Sequence, residues 1–369
     1  MILRLLMVAA AAMPTVSEPV DASEGWRLGG DLRVSATWSE RSDRDATRSD
    51  DEVLRARVRV SVQRAFGDSL EARVRLAGRF ASDQDRTRLW LSRAAPGRNG
   101  AEFGDAVFDE AWLRWRPAGS LWSLQVGRFQ TVHALATLTG KGLGQNDSPN
   151  LDIHWTDGAR LERALGEGSV LRLQLQSMPS GGPGSAHRIP LDFSASGSRL
   201  AAFAGIDSRA GWGPFIQRSA GVHWYPRALA SDGLSNPTRD DYLTLTARAT
   251  AAWPLGEGGS RLLLGGEIGH APNTQRGASG NAWQVELDVE GPERRQSLGL
   301  VWGRVPTGWL VSSDFRNNDE LGEVRWLWRI HSQFSVDARW RWRRELDVPG
   351  AAARARVDRD AYLRATWRY

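Results

Sequence analysis

Residues 361–369 read Ala-Tyr-Leu-Arg-Ala-Thr-Trp-Arg-Tyr, and this strict alternation limits what the chain can fold into more than any other feature. In an extended strand successive side chains point to opposite faces. Ala361, Leu363, Ala365, Trp367 and Tyr369 therefore share one face, and Tyr362, Arg364, Thr366 and Arg368 the other. An apolar face backed by an arginine face suits a strand with lipid on one side and water on the other. The pattern recurs throughout. Leu54, Ala56, Val58, Val60 and Val62 alternate with Arg55, Arg57, Arg59 and Ser61; Phe334, Val336, Ala338, Trp340 and Trp342 alternate with polar residues that include Arg339, Arg341 and Arg343.

Segments of this kind, bounded by turn residues, fall at 30–40, 53–64, 69–80, 107–116, 121–129, 157–164, 169–177, 198–206, 215–225, 241–252, 260–269, 281–290, 296–304, 322–330, 334–343 and 358–369. They predict about sixteen strands, within a range of 14–18 because residues 131–215 are weakly patterned. Each is roughly ten residues long, the length a tilted strand needs to cross a bilayer. The connections alternate in length. Short ones fall at Gly67-Asp68, Pro117–Gly119, Gly166–Gly168, Asp207–Pro214, Pro254–Gly259, Gly291–Glu293 and His331–Gln333; long ones fall at 41–52, 82–106, 131–156, 178–197, 226–240, 270–280, 305–321 and 344–357. A soluble sandwich or propeller has no reason to alternate in this way. A closed antiparallel transmembrane β-barrel does, with short periplasmic turns, long extracellular loops and an even strand number. Closure follows from the solvent: lipid offers no hydrogen-bond partner, so every strand must pair on both edges.

Bulk composition is compatible with that reading. Charged residues make up 25% of the 369-residue chain and mean hydropathy is −0.42. Only every second residue of such a barrel faces lipid, so average hydropathy stays low. No apolar run reaches the about 18 residues that a spanning helix needs. There is no cysteine, which excludes disulfides, thiolate metal sites and cysteine nucleophiles. The formal charge is +5, but arginine is spread through alternating strands instead of gathered in a patch, so no nucleic-acid partner is expected. Residues 1–22 are expected to be a secretory signal, with Arg4 as the charged start, Leu5–Ala12 as the apolar run and cleavage after Ala12 or Ala22, leaving 23–369 as one barrel domain.

Aromatic residues cluster at strand ends. Trp115, Trp122, Trp253, Trp367 and Tyr369 are expected at the periplasmic rim and Trp38, Trp283 and Trp302 at the outer rim, the two girdles of a barrel in lipid.

At this point the chain resembles bacterial outer-membrane porins and, more distantly, alginate-export barrels. The residues that carry the likeness are the aromatic terminal strand Tyr362–Tyr369, the paired segments Phe108–Arg116 and Leu124–Phe129, and the arginine-alternating segment Leu54–Val62. The resemblance implies a passive channel in the outer membrane of a Gram-negative bacterium. It implies contact with membrane lipid and lipopolysaccharide, and recognition of the C-terminal strand by the barrel-assembly machinery. A homotrimer is one assembly it allows. In general porins the third external loop folds into the lumen; here that loop is 131–156, and its Asp147 and Asp152 are candidates for the acidic side of a constriction, although the acid-rich loop motif of general porins is absent.

Function is expected on the inward face. Arg325, Arg339, Arg341, Arg343 and Arg364 on the last strands, then Arg33, Arg55, Arg57, Arg59, Arg73, Arg75 and Arg114 on the first, form one basic wall once the last strand pairs with the first. Glu267, Glu286, Asp288 and Glu290 form an acidic wall roughly opposite. Two such walls set a transverse field across a water-filled pore, and the larger basic area favours anions. The favoured reading is a porin for small hydrophilic, anionic solutes. The alternative is a selective channel for acidic saccharides, in export or uptake. A rim-sited hydrolase ranks last: the histidines sit in no nucleophile motif, and His133 and His154 share a loop without a third metal ligand of proper spacing. No cofactor is called for.

Overall fold

Strands Asn281–Glu290 and Gln296–Val305 switch between exposed and buried at every residue, and the exposed positions over 283–289 and 298–302 are apolar. Trp283, Val285, Leu287 and Val289 face outward, while Gln284, Glu286, Asp288 and Glu290 are buried inside. This inside-out distribution is opposite to that of a soluble domain.

The computed structural model describes residues 25–82, 88–89, 105–147, 153–166, 168–178, 199–209, 211–230, 239–256, 258–272, 280–348 and 354–369. The expected signal segment 1–22 and Asp152 lie outside these. The strands are β1 (Trp26–Ser42), β2 (Arg48–Phe66), β3 (Leu70–Ala81), β4 (Arg88–Leu89), β5 (Asp105–Trp115), β6 (Trp122–Phe129), β7 (Thr156–Gly166), β8 (Ser169–Met178), β9 (Arg199–Ser208), β10 (Phe215–Ala230), β11 (Arg239–Leu255), β12 (Ser260–His270), β13 (Asn281–Glu290), β14 (Gln296–Val305), β15 (Asp319–Arg329), β16 (Phe334–Glu345) and β17 (Val357–Arg368). β4 is a two-residue spur that pairs in parallel with β5. The other sixteen form a closed antiparallel ring, each pairing with its neighbours in sequence and β17 with β1. Every backbone edge within the ring is thereby paired, as a lipid environment demands.

Closure is completed by the last residue. Gly30 N donates to Tyr369 O at 3.1 Å, and Tyr369 Oη donates to Arg59 O at 3.1 Å on the strand beyond. The tyrosine ring crosses Gly30, where a Cβ would lie 2.4 Å from the phenol oxygen. Only glycine leaves that crossing open.

The strand expectations hold in number and place, with one correction to the connections. A long first loop over 41–52 is expected, but β1 and β2 run on as a paired ribbon to Ser42 and Arg48, and only 43–47 connect them. Beyond the membrane both faces of a ribbon are wet, so pairing continues where the apolar alternation stops.

Candidate functional site

Registers across the ring set the inward-facing side chains of β15, β16, β17, β1 and β2 in rows. One row runs Arg343–Asp358–Arg41, the next Glu323–Arg341–Asp360–Ser39, then Arg325–Arg339–Tyr362–Thr37, then Asp337–Arg364–Ser35–Arg55, then Thr366–Arg33–Arg57. The arginines expected as a basic wall thus come together, although the sequence separates Arg33 from Arg364 by nearly the whole chain. They are interleaved with carboxylates. Arg57 Nη2 meets Asp31 at 2.9 Å and Arg33 meets it at 3.2 Å. Asp360 takes Arg341 at 2.7 Å and also Arg339, and Arg364 meets Asp337 at 2.9 Å. Asp31, Asp358 and Asp360 are lining residues that the sequence reading passed over, although each stands in phase with the arginines of its own strand.

A β-bulge adds one more, Asp109, beside Glu110, which is in phase with Arg114. Between Arg75 and Leu76 the β3–β5 register slips, so that Asp109 and Glu110, adjacent in sequence, both turn to the arginines. Asp109 accepts from Arg59 and Arg75, each at 2.8 Å, and Glu110 from Arg73 at 2.7 Å. Period-two reading sends neighbours to opposite faces and cannot anticipate this. Arg114 stands lower on the same side, 3.3 Å from Glu71.

Residues 131–147 fold back into the barrel. The acidic side chains expected as an open wall are what hold them. Thr139 N donates to Glu286 at 2.8 Å, Leu138 N to Asp288 at 2.6 Å and Leu143 N to Glu267 at 2.8 Å. This corrects the transverse-field expectation: these three carboxylates are covered by backbone, not by lumen water, because a buried carboxylate needs donors and the loop amides supply them. β13 also stands only three places from β16 in the ring, beside the basic wall and not opposite it. Glu290, near the short-turn end, pairs with Arg261. Asp147 is likewise no constriction group. It is 1% exposed and accepts from Thr131 N at 3.0 Å and Thr156 Oγ1 at 2.7 Å, tying the two ends of the loop together.

Lys141 reaches from the loop to Glu323 on β15, Nζ to Oε2 3.0 Å, and Arg325 donates to Thr139 O at 3.3 Å. Burial pulls the Lys141 ammonium below its ordinary pKa, and the Glu323 carboxylate acts against that pull. A second loop, 306–318, packs behind the first. Trp309 Nε1 donates to Leu143 O at 2.9 Å, and Asp314 accepts from Gly142 N and from Asn146. Trp309 and Phe315 join Leu143, Tyr225 and Tyr242 in a buried apolar cluster. Part of the lumen is therefore filled, and what stays open follows the arginine side.

Among the described residues the barrel holds a cavity of about 550 Å³ toward the short turns and another of about 520 Å³ toward the long loops. Arg364 lines both. Arg33, Arg325 and Arg368 line the first; Arg55, Arg339, Arg341 and Arg343 line the second. Both cavities are polar, with arginines of the barrel wall on one flank and residues of the inward loops on the other.

On the outside, Trp115, Trp122, Trp253 and Tyr369 lie exposed near the short-turn end, with Trp367 partly buried against Tyr369. Trp283 and Trp302 lie exposed toward the long-loop end and Trp38 is partly buried there. Trp302 stacks with Trp342 across Gly322 at 5.8 Å.

No family model matches the chain, and no curated protein matches it in sequence. Solved structures do match in fold. Pseudomonas putida OprB, in a high-pH structure, is 10% identical and superposes with a TM-score of 0.63, covering 94% of each chain. Pseudomonas aeruginosa OprD is 11% identical, with a TM-score of 0.52 over 97% of this chain and 99% of its own. Pseudomonas aeruginosa OccK2 in complex with glucuronate is 12% identical, with a TM-score of 0.52 over 95% and 98%. These are outer-membrane porins, and the chain has their fold.

Proposed function

We propose that this barrel is an outer-membrane porin of a Gram-negative bacterium that passes small hydrophilic anions, organic carboxylates among them. The observation that carries the reading is the arginine ladder: arginines line both cavities, and Arg364 lines the one as well as the other. An anion following it exchanges one guanidinium for the next without leaving positive potential, which is what conduction through a multi-site pore requires. The interleaved carboxylates are fewer than the arginines and are each held in ion pairs, so they keep the guanidinium groups in place and lower the depth of any single site. The apolar outer face with aromatic residues near both ends supports a membrane setting.

The second reading, a channel for acidic saccharides, is favoured by cavity size. Each cavity has the volume that holds one small organic molecule. A sugar acid fits such a space, and OccK2, which shares the fold, binds glucuronate. A polysaccharide in transit needs a wider continuous bore.

Reversal potentials in a potassium chloride gradient test the main reading. The wild-type channel is expected to prefer chloride, and the double variant Arg55→Gln with Arg341→Gln to lose much of that preference. Cation preference in the wild type overturns it.

A further inference from the structure

Tyr362 is the aromatic member of an otherwise hydrophilic wall. Among the described residues it is the one ring on the inward faces of β16, β17, β1 and β2. It lines the long-loop cavity one row outward from Arg364, the residue that lines both cavities. Two guanidinium groups lie against its ring, Arg339 at 4.3 Å and Arg364 at 4.9 Å from the centroid. These contacts hold the ring in place by cation–π attraction.

The phenol oxygen is unsatisfied. Tyr362 is 9% exposed, and its hydroxyl has no hydrogen-bond partner among the described residues. The chemistry of its neighbours explains why. Guanidinium groups only donate, so Arg339 and Arg364 offer the phenol hydrogen no acceptor. Asp360 is engaged through both oxygens by Arg339 and Arg341, and Asp337 through Oδ2 by Arg364, while its Oδ1 forms no bond to the phenol. A buried hydroxyl with nothing to donate to is costly and calls for an explanation. An acceptor brought in by the permeating solute is one.

We infer that Tyr362 is the specificity-determining residue of the channel, donating its phenol hydrogen to a hydroxyl oxygen of a ring-shaped hydroxy-carboxylate whose carboxylate sits on Arg364. The inference rests on the anion-channel reading above. The spacing supports it: residues two apart on a strand stand about 7 Å apart, about the span of one sugar ring with its exocyclic carboxylate. Acetate, which carries a carboxylate and no hydroxyl, reaches Arg364 without engaging the phenol.

The test uses refolded full-length protein in planar bilayers carrying chloride current, with sodium galacturonate or sodium acetate added as blocker. Tyr362→Phe keeps the ring against Arg339 and Arg364 and removes only the donor. The half-blocking concentration of galacturonate is expected to rise about two- to tenfold, the worth of one neutral hydrogen bond. That of acetate, and the chloride-to-potassium selectivity, are expected to stay as in the wild type. Unchanged galacturonate block, or an equal loss for acetate, overturns the inference while leaving the anion channel standing. Cation selectivity in the wild type instead removes the premise. Tyr362→Leu, which also removes the ring, is expected to weaken galacturonate block at least as much.

Discussion

Lys141 is the single lysine in a chain that otherwise uses arginine, and it is the one Lys or Arg side chain in the inward loop 131–147. It is 1% exposed, on a loop between two glycines, with its ammonium on Glu323. Removing one partner of a buried ion pair costs roughly 3–5 kcal/mol when the other is left uncompensated. Glu323 keeps Arg325 at 2.8 Å, which limits the loss. Lys141→Met is therefore expected to leave the barrel folded but its loop loosened, seen as added noise in the open single-channel current. Glu323→Gln is expected to do the same, and the double variant to be no noisier than the worse single one, since the two residues act through one contact. Asp109 predicts a larger effect. It is the shared acceptor of Arg59 and Arg75. Asp109→Ala takes the ion partner from Arg59, while Arg75 keeps Glu110 at 2.8 Å, and is expected to destabilise the protein by about 3–5 kcal/mol, measured by guanidinium unfolding in lipid vesicles. From the sequence, Arg59 and Arg75 are legible as lining residues. Their partner is not, because the bulge that turns Asp109 inward is a property of two strands in register.

At the level of elements, the two inward loops are seated on glycines. A Cβ at Gly269 would lie 2.3 Å from the Trp309 ring, one at Gly303 2.4 Å from Phe315, and one at Gly265 2.8 Å from Thr137. Strands β12 and β14 thus present a lowered inner surface into which loop side chains drop. Gly269→Val is expected to expel residues 306–318 from that seat without opening the barrel. The check is twofold: faster trypsin cleavage after Arg316, and unchanged retarded mobility of the unheated barrel on gels. Unchanged cleavage would show that the seat is not what holds the loop. The strands themselves are readable from period two, because each carries lipid on one face. Loop 306–318 carries a weaker signal, the apolar run Trp309-Leu310-Val311 in a connection expected to be polar. Such a run can pack only against something the sequence has not yet brought near.

Over the whole molecule, the arginine ladder acts through a field as well as through contacts. Screening length falls from about 10 Å at 0.1 M salt to about 3 Å at 1 M. Chloride-over-potassium selectivity is therefore expected to fall steeply across that range, and a selectivity independent of salt would point to contact geometry alone. Closure is equally a property of the whole. Tyr369 reaches Arg59 across Gly30, joining three strands at the seam. Gly30→Val is expected to reduce the fraction of chain that reaches the heat-modifiable folded form in vesicles, because its side chain meets the Arg59 carbonyl and the Tyr369 phenol.

The sequence by itself determined the barrel, a strand number of about sixteen and most of the residues that face inward, because lipid on one side and water on the other impose a local rule that each strand obeys alone wherever no bulge interrupts it. Arg55, Arg57, Arg59, Arg339, Arg341 and Arg343 are readable in that way. Only the tertiary structure decided what those residues face. Glu286 and Asp288 look like an open acidic wall until loop 131–147 lies on them, and Tyr362 looks like one more inward residue until Arg339 and Arg364 flank it. Such relations depend on which distant segments share the enclosed volume. A buried charge or hydroxyl is satisfied by whatever donor or acceptor the closed ring brings within reach, and no local pattern records that.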